Sequence, residues 1–181
     1  MINSRIGVMA SMRESGNILK AVSDFGLRTC QICCWNTALY TINNADFLKV
    51  EMRKTRIKVT SLWAGWPGAA VWNFIEGPST LGLVPRKYRK ARIHALKQAA
   101  DFASQCGIPA IVTHLGFIPE NPGDPLFREL IDVIKDIAVY CKNRKLEFWF
   151  ETGQETPVTM LRLIEEVNIC LLYTSPSPRD S

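Results

Sequence analysis

The residues best placed to do chemistry are polar side chains that directly follow apolar runs of the sequence. His114 closes the run in "IVTHLGF", and Glu151 closes the run in "FWFETGQE", where Gln154 and Glu155 follow. A carboxylate in such a position binds a divalent metal or moves a proton. These four side chains are therefore the candidate site residues.

Each of the two strand-end residues also has a purely structural explanation. Glu151 would cap the helix that follows it or pair with a lysine, and His114 would be a hydrogen-bonded structural histidine. The chain has two histidines, and the other, His94, falls within an amphipathic helix and is expected at the surface.

Three tryptophans lie in and after the third apolar run, at Trp63, Trp66 and Trp72. They would either fill the core or form the apolar wall of a substrate pocket. We include Trp66 among the candidate substrate-binding residues.

Six cysteines raise the question of a metal site or a disulfide framework. Cys30-x-x-Cys33 has metal-site spacing, but no second pair follows, and in a strand the two side chains would point to opposite faces. Core packing is the favoured interpretation. Without a secretory signal or a regular cysteine framework, the sequence predicts a cytoplasmic protein with reduced cysteines.

The elements that must position these residues alternate regularly along the chain. Helical patterns separate five strand-like runs, and a sixth run begins near the end; the runs are "RIGVMA", "TCQICCW", "IKVTSLWAGW", "GIPAIVTHLGF", "LEFWFETG" and "NICLLY". Such alternation predicts βαβ units and a parallel sheet. The first turn, "ASMRESGN", lacks the glycine-rich pattern of a nucleotide-binding doubly wound sheet. A doubly wound sheet and a (β/α)₈ barrel both remain open on this pattern.

Capping residues predict where several helices begin. Asn44 is the candidate N-cap of the second helix, and Pro85 suits the first turn of the basic helix that follows it. Asp124 followed by proline, and Thr156 followed by proline, predict the starts of the last two helices.

A long insertion, residues 67–85, separates the third strand from a basic amphipathic helix and is expected to help choose the substrate. On that helix Arg89 and Arg92 would either bind a phosphate or belong to the solvated face, which we favour. The net charge of +5 is modest, and without a dominant basic block no nucleic-acid partner is expected.

Several stretches together resemble the xylose isomerase-like sugar phosphate isomerase/epimerase proteins. The resemblance covers residues 5–168 and rests on "GWPGAAVWNFIEGPSTLGLVP", "YRKARI", "IVTHLGFIPENP" and "FWFETGQETPVTMLR". The family fold is a barrel, so the resemblance implies an incomplete (β/α)₈ TIM barrel of the α/β class over residues 1–169. It would hold the first five βα units and the start of strand six.

The resemblance implies that the complete protein is a metal-dependent sugar or sugar phosphate isomerase or epimerase, using Mn²⁺, Mg²⁺, Co²⁺ or Zn²⁺. Ketose epimerases of this group hold the metal with a Glu of strand five, an Asp of strand six, a His of strand seven and a Glu of strand eight. Only the first has a match here, at Glu151, which is expected to be both metal ligand and proton-transfer carboxylate. The side chains expected to contact the sugar are His114, Trp66, Gln154 and Glu155.

Two alternatives to this activity remain. Endonuclease IV-like apurinic-site nucleases share the barrel and use a strand-end His and Glu that resemble His114 and Glu151. Their three-zinc site needs many histidines, which makes this alternative the weaker one. The other alternative is a non-catalytic barrel fragment. No run of about 18 apolar residues predicts a membrane span, and no feature indicates the oligomeric state.

The last segment departs from the family pattern. No Asp follows "NICLLY" before Pro176 and Pro178, and these prolines exclude a central strand there. The string "CLLYTSPSPRD" resembles the translation of a sequencing-library adapter, so residues 170–181 are expected to be a disordered, non-native tail. With one family ligand present, this chain is expected to bind the metal weakly and to be inactive.

Overall fold

The computed structural model describes residues 6–13, 17–151, 153–169 and 172–174. In chain order the elements are β1 (Gly7–Ser11), α1 (Ile18–Asp24), β2 (Thr29–Cys34), a 3₁₀ turn (Thr37–Leu39), α2 (Ile42–Thr55), β3 (Lys58–Ala64), α3 (Gly77–Thr80), α4 (Arg86–Cys106), β4 (Ala110–His114), α5 (Pro125–Lys142), β5 (Glu147–Glu151), α6 (Pro157–Val167) and β6 (Leu172–Thr174). Across these ranges no helix has the combined length and apolar character that a membrane crossing requires.

The strands form one parallel sheet in the order β1-β2-β3-β4-β5-β6. Each strand pairs with the next one along the chain, whereas a doubly wound sheet reverses its strand order at a switch point. The order is therefore that of a (β/α)₈ barrel, and the prediction of a partial TIM barrel is confirmed.

The sixth strand falls inside the segment that the sequence predicts to be disordered. Leu172–Thr174 pair in parallel with β5, Phe148 opposite Leu172 and Phe150 opposite Thr174. For these three residues the structure differs from the predicted tail, because the paired edge of β5 supplies partners for their backbone groups. The rest of residues 170–181 lies outside the described residues.

The two faces of the sheet carry different cores. Phe148 and Phe150 are fully buried on the outer face, in the main core beneath the helices. Cys33, Trp63 and Val112 belong to a second, smaller cluster on the inner face. Fully burying one such aromatic side chain contributes about 1.5–3 kcal/mol, so the aromatic residues of both faces stabilise the fold.

Helix starts agree with capping chemistry in two of the four predicted cases. The side chain of Asp124 accepts from the amide of Leu126, and that of Thr156 accepts from Thr159. The Asn44 cap is wrong: Thr41 caps α2 and accepts from the amide of Asn44, which lies inside the first turn. Pro85 precedes α4 as its last extended residue and is not within its first turn.

The five cysteines in the described ranges are free and buried. Burial raises the pKa of Cys30 to about 11 and those of Cys106 and Cys141 to about 12. Cys30 packs in the main core, while Cys33 packs in the inner cluster. The prediction that this pair serves packing, on opposite faces of one strand, is confirmed.

The first strand forms an edge of the sheet. In the ranges described, β1 pairs with β2 alone. Its apolar side chains are unusually open, with Val8 at 41% and Met9 at 52% exposure. β1 therefore leaves apolar side chains exposed, whereas the strands β2 to β5 bury most of theirs.

Candidate functional site

Glu151 ends β5 on the inner side of the sheet, where its carboxylate is held by a tryptophan. The indole Nε1 of Trp63 donates to Oε2 of Glu151 over 2.7 Å, and Trp63 is itself buried. Glu151 does not cap α6, a role that Thr156 fills, and it forms no ion pair with a lysine within the described ranges. Its carboxylate is therefore oriented for the barrel interior, and neither structural explanation applies.

His114 lies beside Glu151, because the two are register partners on neighbouring strands. It is buried, and its Nδ1 accepts a hydrogen bond from the backbone N–H of Gly116 at 3.0 Å. Burial lowers the pKa of His114, and the carboxylates of Glu155 and Glu151 oppose this shift only in part. Burial at the end of β4 therefore makes this imidazole harder to protonate than a free histidine.

The loop after β5 passes directly over this histidine. A Cβ atom on Gly153 would overlap Nε2 of His114, so only glycine fits there without displacing the ring. The N–H of Gly153 donates to Oε1 of Glu155 at 2.9 Å, which folds the loop back on itself. Gln154 is exposed and forms no hydrogen bond within the ranges described. The structure therefore brings Glu155 towards His114 and leaves Gln154 at the surface.

Four tryptophans form a continuous cluster around these polar groups. Trp66 is buried at the centre, with ring centroids 5.3 Å from Trp35, 5.8 Å from Trp63 and 6.5 Å from Trp72. Trp72 meets the His114 ring edge-on at 5.2 Å and is half exposed. The predicted tryptophans thus form an apolar wall beside the carboxylate.

Trp35 was not predicted, although it directly follows β2, close to the strand-end positions that His114 and Glu151 occupy on β4 and β5. Its centroid lies 4.9 Å from that of Trp63. Gly65 permits this contact, because a Cβ there would approach the Trp35 ring to 2.6 Å. The same strand-end position that indicated His114 and Glu151 would have indicated Trp35.

Arg92 is fully buried, contrary to the prediction of a solvated helix face. Its guanidinium donates to the carbonyl oxygens of Pro67 at 3.1 Å, Ala69 at 2.7 Å and Gly82 at 2.6 Å. It also lies over the rings of Trp66 and Tyr88, at 5.3 and 4.6 Å. Burial lowers the pKa of Arg92 to about 10. Arg92 therefore fixes the residue 67–85 loop, and no donor pattern suited to a phosphate is presented to solvent.

Arg89 binds the C-terminal end of the same loop. It donates to the carbonyls of Leu83 and Val84 and, at 2.6 Å, to the carboxylate of Glu129. Arg86 binds the same carboxylate, and the two guanidinium groups hold the pKa of Glu129 at about 2. The guanidinium of Arg89 thus donates to groups of the protein itself, and the alternative that Arg89 binds a phosphate receives no support.

The loop is also joined to the turn after β4. Gly82 and Gly116 both have positive φ, +65° and +96°, and their backbones approach so closely that a Cβ on either would overlap the other turn. The N–H of Leu83 donates to the carbonyl of Leu115 at 2.7 Å. Glycine is required here by both conformation and space. The loop that carries Trp72 and the turn that follows His114 are thereby one unit.

The described residues do not by themselves compose a metal centre. Nowhere in these ranges do three or more His, Cys, Asp or Glu side chains converge in a way that suits an ion. Glu151 is a single carboxylate, and one of its oxygens already accepts from Trp63. One ligand holds an ion weakly.

Comparison with known protein families agrees with the barrel order of the strands. The sequence profile of the xylose isomerase-like TIM barrel family matches residues 19–171, most of the chain. The chain therefore belongs to that family. No curated protein sequence matches it.

Three solved structures show the same fold. A xylose isomerase domain protein from Planctomyces limnophilus is 32% identical, with a TM-score of 0.86, and the match covers 92% of this chain and 59% of that one. A D-psicose 3-epimerase in the presence of D-fructose is 10% identical, with TM-score 0.66 and coverage of 93% and 61%. A xylose isomerase-like barrel from Mycobacterium smegmatis in complex with magnesium is 12% identical, with TM-score 0.64 and coverage of 88% and 54%. The chain thus spans less than two thirds of each of these proteins.

Proposed function

We propose that this chain supplies the first half of the active site of a sugar isomerase or epimerase, with Glu151 as a proton-transferring carboxylate. The observation that carries the proposal is the 2.7 Å hydrogen bond from Trp63 to Glu151 at the carboxyl end of β5. In barrel enzymes the reacting groups lie at this end of the strands. The bond fixes a carboxylate there between His114 and an aromatic wall.

Such a carboxylate suits the reaction that isomerises sugars. The step removes a proton from the carbon next to a carbonyl, which a positioned carboxylate does. An isomerase returns the proton to the neighbouring carbon, whereas an epimerase returns it to the opposite face of the same carbon and needs a second carboxylate there. Because Trp63 holds Oε2, the other oxygen of Glu151 is left to take the proton. The tryptophan cluster would bury the C–H face of the sugar, while polar groups at the rim bind its hydroxyls.

The substrate class proposed is a small sugar or sugar phosphate, supported by the likeness to an epimerase studied with D-fructose. In the complete protein a divalent ion would polarise the substrate carbonyl. The likeness to a magnesium-bound barrel supports this cofactor. Glu151 would be one of its ligands, and further ligands would have to come from residues beyond those described. The cytoplasmic location stays a prediction.

The chain by itself is proposed to bind sugar without turning it over, since Glu151 is the one carboxylate that its described residues place at the carboxyl end of β5. The nuclease alternative finds no support in the geometry. His94 is exposed on α4, while His114 is buried at the end of β4, so the two histidines of the chain do not form a joint zinc site.

The experiment completes the barrel by joining residues 1–169 to the C-terminal part of the 32% identical Planctomyces limnophilus protein. Epimerisation of ketoses is followed in D₂O by NMR, as loss of the C–H signal next to the carbonyl. Glu151→Gln is expected to lower the rate about 10²–10⁴-fold.

Glu147→Gln is the matched control. Glu147 also accepts from a tryptophan indole, Trp149 at 2.7 Å, but it lies at the opposite end of β5. It should leave the rate nearly unchanged. A folded chimera that works equally well with Glu151→Gln would refute the role of Glu151, and turnover by the isolated chain would refute the proposed inactivity.

A further inference from the structure

An open cleft of about 650 Å³, which we call the α2 cleft, lies at the end of the sheet opposite to the candidate active site. Its walls come from the last turns of α2, the turn that leads into β3 and the last residue of α4. Because β3 begins at Lys58, the cleft opens at the amino ends of the strands, whereas Glu151 closes β5 at their carboxyl ends. A ligand bound in the α2 cleft would therefore not occupy the candidate active site.

Four basic side chains line the α2 cleft: Lys49 and Arg53 from α2, Arg56 from the turn and Lys58 from β3. The Nζ of Lys49 pairs with the carboxylate of Asp46 at 2.8 Å, which compensates that one charge. The other three side chains are exposed, and within the described ranges no carboxylate forms an ion pair with them. The α2 cleft therefore carries uncompensated positive charge.

Helix stability explains only part of this charge. Basic residues near the end of a helix interact favourably with its last carbonyl groups, and the Nε of Arg53 donates to the carbonyl of Lys49 at 3.3 Å. Arg56 is the C-cap of α2 and has the same explanation. Lys58 belongs to β3, so the helix does not account for its presence at the same cleft.

The floor of the α2 cleft is apolar. Met52 is half-buried and packs against the main core, to which the buried residues Ile57 and Cys106 belong. Burial raises the pKa of Cys106 to about 12, so this floor carries no thiolate that would repel an anion at neutral pH. A cleft with cations at its rim and an apolar floor suits a ligand that is anionic at one end and apolar at the other.

We propose that the α2 cleft binds a small phosphorylated molecule with an apolar part, of the kind that a nucleoside diphosphate represents. Guanidinium groups present paired N–H donors that match phosphate oxygens, and Arg53 and Arg56 supply two such groups while Lys58 adds a point charge. The volume lies in the range of about 300–1,000 Å³ that is typical of small-molecule sites. This site does not depend on the function proposed for Glu151, and either can fail without the other.

Binding is tested on the whole chain with ADP as the probe, by titration calorimetry at low ionic strength and by ¹H–¹⁵N NMR. We expect ADP to shift the amide signals of residues 53–58 and to bind more tightly than pyrophosphate, which lacks the apolar part. Salt should weaken the binding, because exposed charges are screened. An absence of binding, or amide shifts confined to another part of the chain, overturns the proposal. Equal affinity of the two probes overturns its apolar part.

Variants distinguish the α2 cleft from general attraction to a chain of net charge +5. An exposed ion contact contributes about two- to fivefold in affinity, so Arg53→Gln/Arg56→Gln should weaken ADP binding about four- to 25-fold. Lys58→Gln removes the charge that β3 contributes and should weaken binding about two- to fivefold by itself.

Lys90→Gln/Arg128→Gln is the matched control for the double variant. It removes the same charge from exposed positions on α4 and α5, outside the α2 cleft. Its affinity for ADP should stay close to that of the parent chain. Equal weakening in the two double variants would show that net charge and not the cleft attracts ADP, and unchanged binding by Arg53→Gln/Arg56→Gln would overturn the site.

Discussion

Two glutamates of β5 make the same kind of contact, but Glu151 alone of the two is proposed to transfer a proton. Glu147 and Glu151 each accept a hydrogen bond of 2.7 Å from a tryptophan indole, at opposite ends of one five-residue strand. The contact alone therefore does not define a catalytic residue. Position at the carboxyl end of a barrel strand, where the loops gather, distinguishes Glu151.

Glu129 is a second carboxylate whose surroundings can be tested, because hydrogen bonds from Arg86 and Arg89 lower its pKa to about 2. A carboxylate with a depressed folded-state pKa stabilises the fold above its unfolded pKa near 4.5, and that stabilisation is lost as the pH falls towards 2. Thermal midpoints of the parent chain and Glu129→Gln should thus differ at pH 7 and converge between pH 4.5 and 2.

Glu165→Gln is the control for this pH series, because Glu165 is exposed on α6 and forms no ion pair in the described ranges. Its midpoint should follow that of the parent chain. A gap between the parent and Glu129→Gln that stays constant down to pH 2 would show that the two arginines do not bind the ionised carboxylate in solution.

His114 and Glu151 were predictable because each closes a buried apolar run, and the structure places them side by side. The prediction for Arg92 was wrong because it rested on the charge of the side chain and not on its position in the helical repeat. Arg92 lies four residues after Tyr88 and three before Ala95, which is the period of the buried face of α4. The carbonyls that accept its hydrogen bonds come from a loop far away in sequence, so no local pattern shows them.

At the scale of elements, α4 and the residue 67–85 loop are bound together by Arg92. Replacing it by methionine leaves three carbonyl oxygens without donors, each at a cost of about 1–3 kcal/mol. We expect Arg92→Met to lose about 3 kcal/mol or more in urea unfolding. Arg92→Lys should lose less, because one ammonium satisfies part of the set.

Lys90→Met is the control on the exposed side of the same helix and should stay within about 0.5 kcal/mol of the parent chain. The fluorescence of half-exposed Trp72 gives a second readout, since the loop carrying it should loosen in Arg92→Met alone. An Arg92→Met chain as stable as Lys90→Met would mean that water replaces the guanidinium without cost.

Two glycines allow the cost of a positive φ to be distinguished from the cost of steric overlap by an added Cβ. Gly82 and Gly107 both have positive φ, +65° and +74°, but a Cβ on Gly82 would overlap Leu115, whereas Gly107 has open space around it. Gly107→Ala should lose about 1–2 kcal/mol, the cost of a left-handed alanine. Gly82→Ala should lose clearly more in the same unfolding measurement. Equal losses would show that the turn after β4 moves aside.

The starts of α5 and α6 were predictable because each has an oxygen-bearing cap followed by proline, a signal confined to neighbouring residues. The start of α2 was not, because two cap-forming residues, Thr41 and Asn44, lie three apart. The structure settles the choice: Thr41 accepts from the amide of Asn44, while Asn44 donates its side-chain amide to the carbonyl of Leu39. The side chain of Asn44 is thus bound to the end of the preceding 3₁₀ turn, a contact that cap propensity alone does not reveal.

At the scale of the molecule, the sheet has an apolar edge at β1. Edge strands with unpaired backbone groups and open apolar side chains promote association. We expect the chain to self-associate with rising concentration in analytical ultracentrifugation. Val8→Lys, at a residue 41% exposed on this edge, should shift the distribution towards the monomer.

Val139→Lys is the matched control, because Val139 has a similar exposure of 47% but lies on α5, away from the edge. It should not alter association. If both substitutions act alike, general surface hydrophobicity and not strand pairing drives the assembly.

The barrel order itself was predictable from the sequence only through family resemblance. Alternating strands and helices fit an open doubly wound sheet equally well, since local periodicity does not record which strands become neighbours. The consecutive order β1 to β6 resolves this point. Which strands meet is decided by packing over long distances in the chain.

The buried thiols offer a way to time the motions of this fold. Alkylating reagents attack the thiolate, and burial both raises the pKa of Cys106 and Cys141 to about 12 and shields their sulfur atoms. Each label acquired at neutral pH therefore marks a moment when the surrounding structure has opened. The labelling rates of Cys30, Cys106 and Cys141 would show in which order β2, α4 and α5 open. The native cysteines therefore report local unfolding without any added probe.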